Sequence, residues 1–156
     1  MQPGSYTGQF PPNSVDTLMP GIYCIDGDFR LSSATLTGHG VVLRMNDGDI
    51  SWNGGDELHL SAPTEGPYRG LLIYLPSTAP GNCEDVVING NSFSTIVGRI
   101  LAPCSHIAVN GTGDSGIVGQ IIGDTVDIAG GAGTSIRYDE TLVSDSLTQP
   151  EIEFKQ

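Results

Sequence analysis

Two cysteines and a carboxylate–imidazole–carboxylate trio share one spacing: Cys83 and Cys104 lie 21 residues apart, and so do Asp85, His106 and Asp127 in succession. In a coil whose rungs repeat at that interval, equivalent residues stack about 4.8 Å apart. Cys83 and Cys104 then fall within disulfide range, the other reading being a buried thiol stack. An oxidising compartment favours the bond. Asp85, His106 and Asp127 would bring an imidazole between two carboxylates, an arrangement that serves a general base or a metal ion. The plainer reading is a surface ladder that alternates charge to avoid stacking like on like. No second His or Cys lies in register beside them, so no metal is expected and the ladder is read as structural. Cys24 is left unpaired, with a place inside the first rung beside Ile22.

The spacing belongs to a repeat. Cys83 to Pro103 and Cys104 to Asp124 align without a gap and are identical at eight of 21 positions. Asn89/Asn110, Gly90/Gly111, Ile96/Ile117 and Gly98/Gly119 are among the identities, and a decayed copy follows from Thr125 to Tyr138. Looser copies precede it, led by Gly40-Val41-Val42 and Gly70-Leu71-Leu72. The corner Trp52-Asn53-Gly54 returns as Ile88-Asn89-Gly90 and Val109-Asn110-Gly111. Asn and Gly accept positive φ, so the same bend is written into each copy. Short strands at a period near 20 residues specify a parallel β-helix, a solenoid of about five rungs. Strand twist favours a right-handed coil. A β-sandwich is the rival fold, and adjacent gapless copies argue against it.

Composition agrees with an all-β domain. The chain has 156 residues, 22 of them Gly and 10 Pro, and no stretch combines helix formers with a 3.6-residue period. Its net charge of −12 opposes nucleic acid and anionic membrane surfaces. No apolar run is long enough to span a bilayer, and residues 1–10 have neither a basic nor an apolar leader segment. If the native protein is exported, this chain is expected to be cut from a longer one.

Other chemistry is thinly represented. Gly113-Asp114-Ser115-Gly116 is no nucleophile elbow, and Ser115 is the repeat partner of Ser94. The single Lys, Lys155, serves no phosphate loop. Pectate-lyase-like and polygalacturonase-like enzymes use a β-helix with Asp clusters beside Arg or Lys, whereas Arg30, Arg44, Arg69, Arg99 and Arg137 are scattered over the rungs. Asp26-Gly27-Asp28 and Asn46-Asp47-Gly48-Asp49 are oxygen-rich turns without the closing Glu of a calcium loop. Gly130 to Ser135 carries Ser135 where a calcium nonapeptide needs Asp. No cofactor is expected, and calcium at these turns would be adventitious. Trp52 and Tyr74 could stack on sugars, but Trp52 occupies the slot of Ile88 and Val109, a core position.

Residues 1–19 read as a lead-in or cap, 20–140 as the β-helix domain, and 141–156 as a C-terminal cap or linker. In the glycine-led strands, the parity Val42, Leu72, Ile100 and Ile121 is expected to face inward. The other parity runs Val41, Leu71, Arg99 and Gln120. Its apolar first members need a cover, for which Phe10, Val15 and Leu18 of the lead-in are the candidates.

Pro20-Gly21-Ile22-Tyr23-Cys24, Leu36-Thr37-Gly38-His39-Gly40-Val41, Gly70-Leu71-Leu72-Ile73-Tyr74, Ile88-Asn89-Gly90-Asn91-Ser92, Gly98-Arg99-Ile100-Leu101-Ala102-Pro103 and Gly119-Gln120-Ile121-Ile122-Gly123 resemble the exported β-rich region of TadE/TadG-like proteins of tight-adherence (Flp) pilus assembly. The resemblance spans residues 20–140 and brings no catalytic residues; because members of that family typically have an N-terminal membrane helix, it implies an excised soluble ectodomain with membrane contact only through a missing N-terminal anchor. It implies a non-enzymatic structural or adhesive module at a bacterial surface, extracellular, with itself or envelope and pilus components as partners. A carbohydrate-binding module, or a carbohydrate-active enzyme on the same scaffold, is the competing expectation, with a glycan as partner.

Overall fold

The computed structural model describes residues 1–31, 35–53, 55–76, 83–90, 93–111, 116–130 and 135–139. All its regular structure is β, coiled as a parallel solenoid of about five turns. The opening rung contributes β1 (Gly4–Thr7) and β2 (Thr17–Leu18). The next contributes β3 (Gly21–Asp26), β4 (Phe29–Arg30) and β5 (Thr35–His39). Then come β6 (Val41–Asp47), β7 (Ile50–Trp52) and β8 (Glu57–Ser61), followed by β9 (Leu71–Tyr74) and β10 (Val86–Gly90). Two long strands, β11 (Thr95–Gly111) and β12 (Gly116–Gly130), bend around corners before β13 (Ser135–Arg137).

Parallel pairing sorts these strands into three walls. The first wall stacks β1, β3, β6, β9 and the middles of β11 and β12. The second stacks β4, β7, β10 and the last parts of β11 and β12. The third stacks β2, β5, β8, the first parts of β11 and β12, and β13. β1 and β2 pair in register with β3 and β5, so residues 4–18 fold as a rung of the coil.

Alternation along each strand fills the interior with ladders of apolar side chains. On the second wall Phe29, Ile50, Val86, Ile107 and Val126 are stacked, and the first four are fully buried. Trp52, Ile88, Val109 and Ile128 form the neighbouring ladder, with Trp52 in the core slot its spacing assigned. Burying each such side chain contributes roughly 1.5–3 kcal/mol. Both ladders open at the last rung, where Val126 is 39% and Ile128 57% exposed.

On the first wall Val42, Leu72 and Ile100 of the expected inward parity are buried, and the correction falls on Val41 of the other parity. Val41 faces inward with no exposed surface, and its wall continues as Tyr23, Leu43, Ile73, Ile100 and Ile121 in register. Leu72 is inside as well, because a bulge leaves Leu72 and Ile73 opposite one position of β11. Phe10 and Leu18 do not lie over an outer face: they are core residues of the opening rung.

Candidate functional site

The second wall gathers most of the chemistry. One residue before the pairs Phe29–Ile50, Ile50–Val86 and Val86–Ile107, the register stacks Asp28, Asp49, Asp85 and His106 on its outer face, and Thr125 follows opposite His106. The backbone explains the stacking. At the corner leading into this wall, Gly27 and Gly48 hold positive φ of 145° and 87°, and Asp flanks each glycine. Gly27 donates its N–H to Asp47 O at 3.2 Å, and Phe29 donates to Asp49 O at 2.8 Å, so one bend is copied from rung to rung.

The carboxylates bind the rungs together. Asp28 Oδ1 accepts the backbone N–H of Asp49 at 3.1 Å, and Asp49 Oδ1 accepts that of Asp85 at 2.9 Å. Arg30, two residues along β4, pairs with Asp28 at 3.0 Å. Beside them Glu84 stands among like charges. Its carboxyl is held above the ordinary range, first by desolvation, then by a hydrogen bond with Asp49 and the charges of Asp49, Asp47 and Asp28. Gln9, Arg30, Asp49, Ser51, Asn53 and Asp85 border a groove of about 560 Å³ on this wall. Farther along, Asn110 Nδ2 donates to Asn89 Oδ1 at 3.0 Å.

The expected trio is rearranged. Ala102 pairs with Gly123, 21 residues on, but His106 pairs with Thr125, only 19 residues on. The corner of β12 is two residues shorter than that of β11, which keeps every side chain on its face but slides the ladder. Asp127 therefore lies opposite Ala108. It still reaches His106 from the diagonal position: His106 Nε2 is 3.6 Å from Asp127 Oδ2, while Nδ1 lies 2.8 Å from Thr125 Oγ1. Asp85 precedes His106 in the ladder, yet the side-chain partners of His106 are Thr125 and Asp127. Among the described residues, no three His, Cys, Asp or Glu side chains group as metal ligands.

Cys83 and Cys104 are bonded, with Cα atoms 5.5 Å apart. Cys24 is free and half-buried, on the outer face of β3 opposite Arg44, not inside the rung. The acidic ladder Asp28–Asp49 was readable from sequence, since Asp-Gly-Asp recurs at 26–28 and 47–49 with the same interval of 21. Its step to Asp85 spans 36 residues and escapes that period. Most of the Gly130–Ser135 run and all of residues 141–156 lie outside the described residues. No protein-family model matches the chain, and comparison with curated proteins and with solved structures gives no match.

Proposed function

We propose that the chain is a non-enzymatic structural or adhesive module of a bacterial surface protein, of the pilus-associated kind that its TadE/TadG-like motifs suggest. The commitment of the second-wall carboxylates to backbone N–H groups carries this reading. Asp28 and Asp49 each hold the next rung, and His106 is held by Thr125 and Asp127. A general acid or base works from a side chain free to exchange a proton with substrate; these side chains act as fasteners. The Cys83–Cys104 bond supports an extracellular setting, where disulfides persist.

A second reading, a carbohydrate-binding module, is supported by the groove, which sets guanidinium, amide, hydroxyl and carboxylate groups side by side. Trp52 gives it no stacking platform, being 1% exposed in the core. Beads coated with the domain, offered to piliated bacterial cells and to a polysaccharide panel, test both. The leading reading expects adhesion to cells without release of sugar. Retention on purified polysaccharide alone favours the second reading, and liberation of reducing ends overturns the non-enzymatic assignment.

A further inference from the structure

From the third wall we infer a binding site for one divalent transition-metal ion of the copper, nickel or zinc class, formed by His39 and His59. The register pairs Thr37 with His59 and His39 with Ser61, so the two imidazoles are diagonal neighbours on successive rungs. They share the outer face, because Leu36, Leu58 and Leu60, on the alternate parity, are buried. Diagonal neighbours lie about 7–8 Å apart, their Cβ atoms somewhat closer, a span that two imidazoles close around one ion at ~2.0–2.1 Å per nitrogen.

Three features make this pair more than two surface histidines. First, His39 and His59 border the same groove of about 390 Å³, lined otherwise by Thr37, Leu60, Ser61, Thr95 and Val97, so open space for an ion and its waters adjoins both histidines. Second, His39 Nδ1 lies 3.1 Å from Ser61 Oγ. That contact orients the ring and leaves Nε2 as its coordinating atom, the role outer partners play around metal-bound histidines. Third, His106, the remaining histidine, has both nitrogens engaged, by Thr125 and Asp127. Imidazole suits this metal class, and copper should bind tightest. The net charge of −12 raises the local cation concentration. Two protein ligands leave the remaining positions to water or to a donor from a partner, and the ion would tie two rungs together.

The test is calorimetric titration of the intact chain with Cu(II), Ni(II) and Zn(II) at pH ~7.5, above the ordinary imidazole range. Nuclear magnetic resonance mapping of Cu(II) broadening in the unsubstituted protein accompanies it. The expected result is one equivalent bound, with broadening centred on Thr37, Ser61 and Thr95. His39→Ala and His59→Ala should each weaken binding on the order of tenfold or more, and His106→Ala should leave it unchanged. Broadening centred on His106 and Asp127, unchanged affinity in His39→Ala and His59→Ala, or no binding up to ~1 mM ion overturns the site. The mapping needs no variant, so a substitution that impairs folding does not decide the outcome.

Discussion

The carboxylate of Asp49 accepts the backbone N–H of Asp85 at 2.9 Å, joining rungs whose residues are 36 apart in sequence. Asp49 itself receives the same service from Asp28, one rung earlier, whose Oδ1 accepts its N–H at 3.1 Å. Two side chains therefore extend the ladder at a corner where bending would otherwise leave backbone donors to solvent. The arrangement crowds negative charge, with Asp47 and Glu84 nearby. Stability at this edge is a contest between hydrogen bonds gained and repulsion incurred.

Substituting Asp49 separates the two. Asp49→Asn keeps an oxygen that can accept the Asp85 N–H and removes one charge, so it should match or exceed the parent in stability. Asp49→Ala removes the acceptor too, and should be about 1 kcal/mol less stable than the Asn variant. Urea denaturation of the three proteins reads the order. An Ala variant as stable as the Asn variant would mean that the bond contributes nothing.

Glu84 sets the pH dependence of the same edge. Its folded-state carboxyl titrates above the ordinary value of 4.5, through desolvation first and then Asp49 and the neighbouring charges. The folded chain therefore holds that proton more tightly than the unfolded chain. This contribution is complete below 4.5 and is lost as pH rises through the raised folded-state value. Glu84→Gln cannot lose it. Relative to the parent, the variant should gain stability as pH rises across that window, then keep a constant difference. Parallel denaturation curves for the two proteins at every pH would refute the assignment.

The repeat made the solenoid legible, and departures from the repeat account for what was not. Gapless copies from Cys83 to Asp124 identify which residues of β10, β11 and β12 stack, and the recurring Asn-Gly corner sets Trp52 of β7 beside Ile88. Apolar residues stand on both parities of Val41-Val42-Leu43 and all three are buried, so the expectation held for Val42 and failed for Val41. Alignment on the glycine then slipped by one, because the bulge at Leu72 consumes a residue. A slip of one reverses every side chain. At His106 the slip is two, so the face survives and only the residue opposite in register changes, from Asp127 to Thr125, with Asp127 reaching back from the diagonal. Asp28 and Asp49 looked like turn residues because their carboxylates serve backbone donors, and that use has no sequence signature beyond the Asp-Gly-Asp itself.

The disulfide should be worth about 3 kcal/mol, since it closes a loop of 21 residues. In protein matured under oxidising conditions, a thiol reagent should find one reactive group in the native state, the half-buried Cys24. It should find three after reduction and unfolding. Cys83→Ser with Cys104→Ser should lower the denaturation midpoint accordingly. More than one native thiol would show that the bond does not form.

His106 and Asp127 form an exposed pair, with side chains 43% and 76% accessible and atoms 3.6 Å apart. Such pairs contribute about 0–1 kcal/mol. A double-mutant cycle with His106→Ala and Asp127→Ala should return a coupling inside that range. High salt should diminish it further. A coupling above ~2 kcal/mol would instead mark a desolvated interaction and reopen the question of a functional histidine.

Gly8 and Gly48 pose the sharpest test of the stacked corner, because their backbones match and their surroundings do not. Both are left-handed, with φ of 82° and 87°. A methyl group on Gly8 would meet nothing within 4 Å, whereas on Gly48 it would strike the backbone of Gly27 and Asp28 in the rung below. Gly8→Ala thus incurs only the conformational cost, about 1 kcal/mol. Gly48→Ala adds a collision with the Gly27–Asp28 peptide, which is flanked on both sides by ladder bonds, Gly27 N–H to Asp47 O at 3.2 Å and Phe29 N–H to Asp49 O at 2.8 Å. Its cost should exceed that of Gly8→Ala by at least ~2 kcal/mol. Chemical denaturation of the two variants measures the difference directly. Equal costs would mean that the corners do not stack at van der Waals contact, and that φ alone requires glycine there.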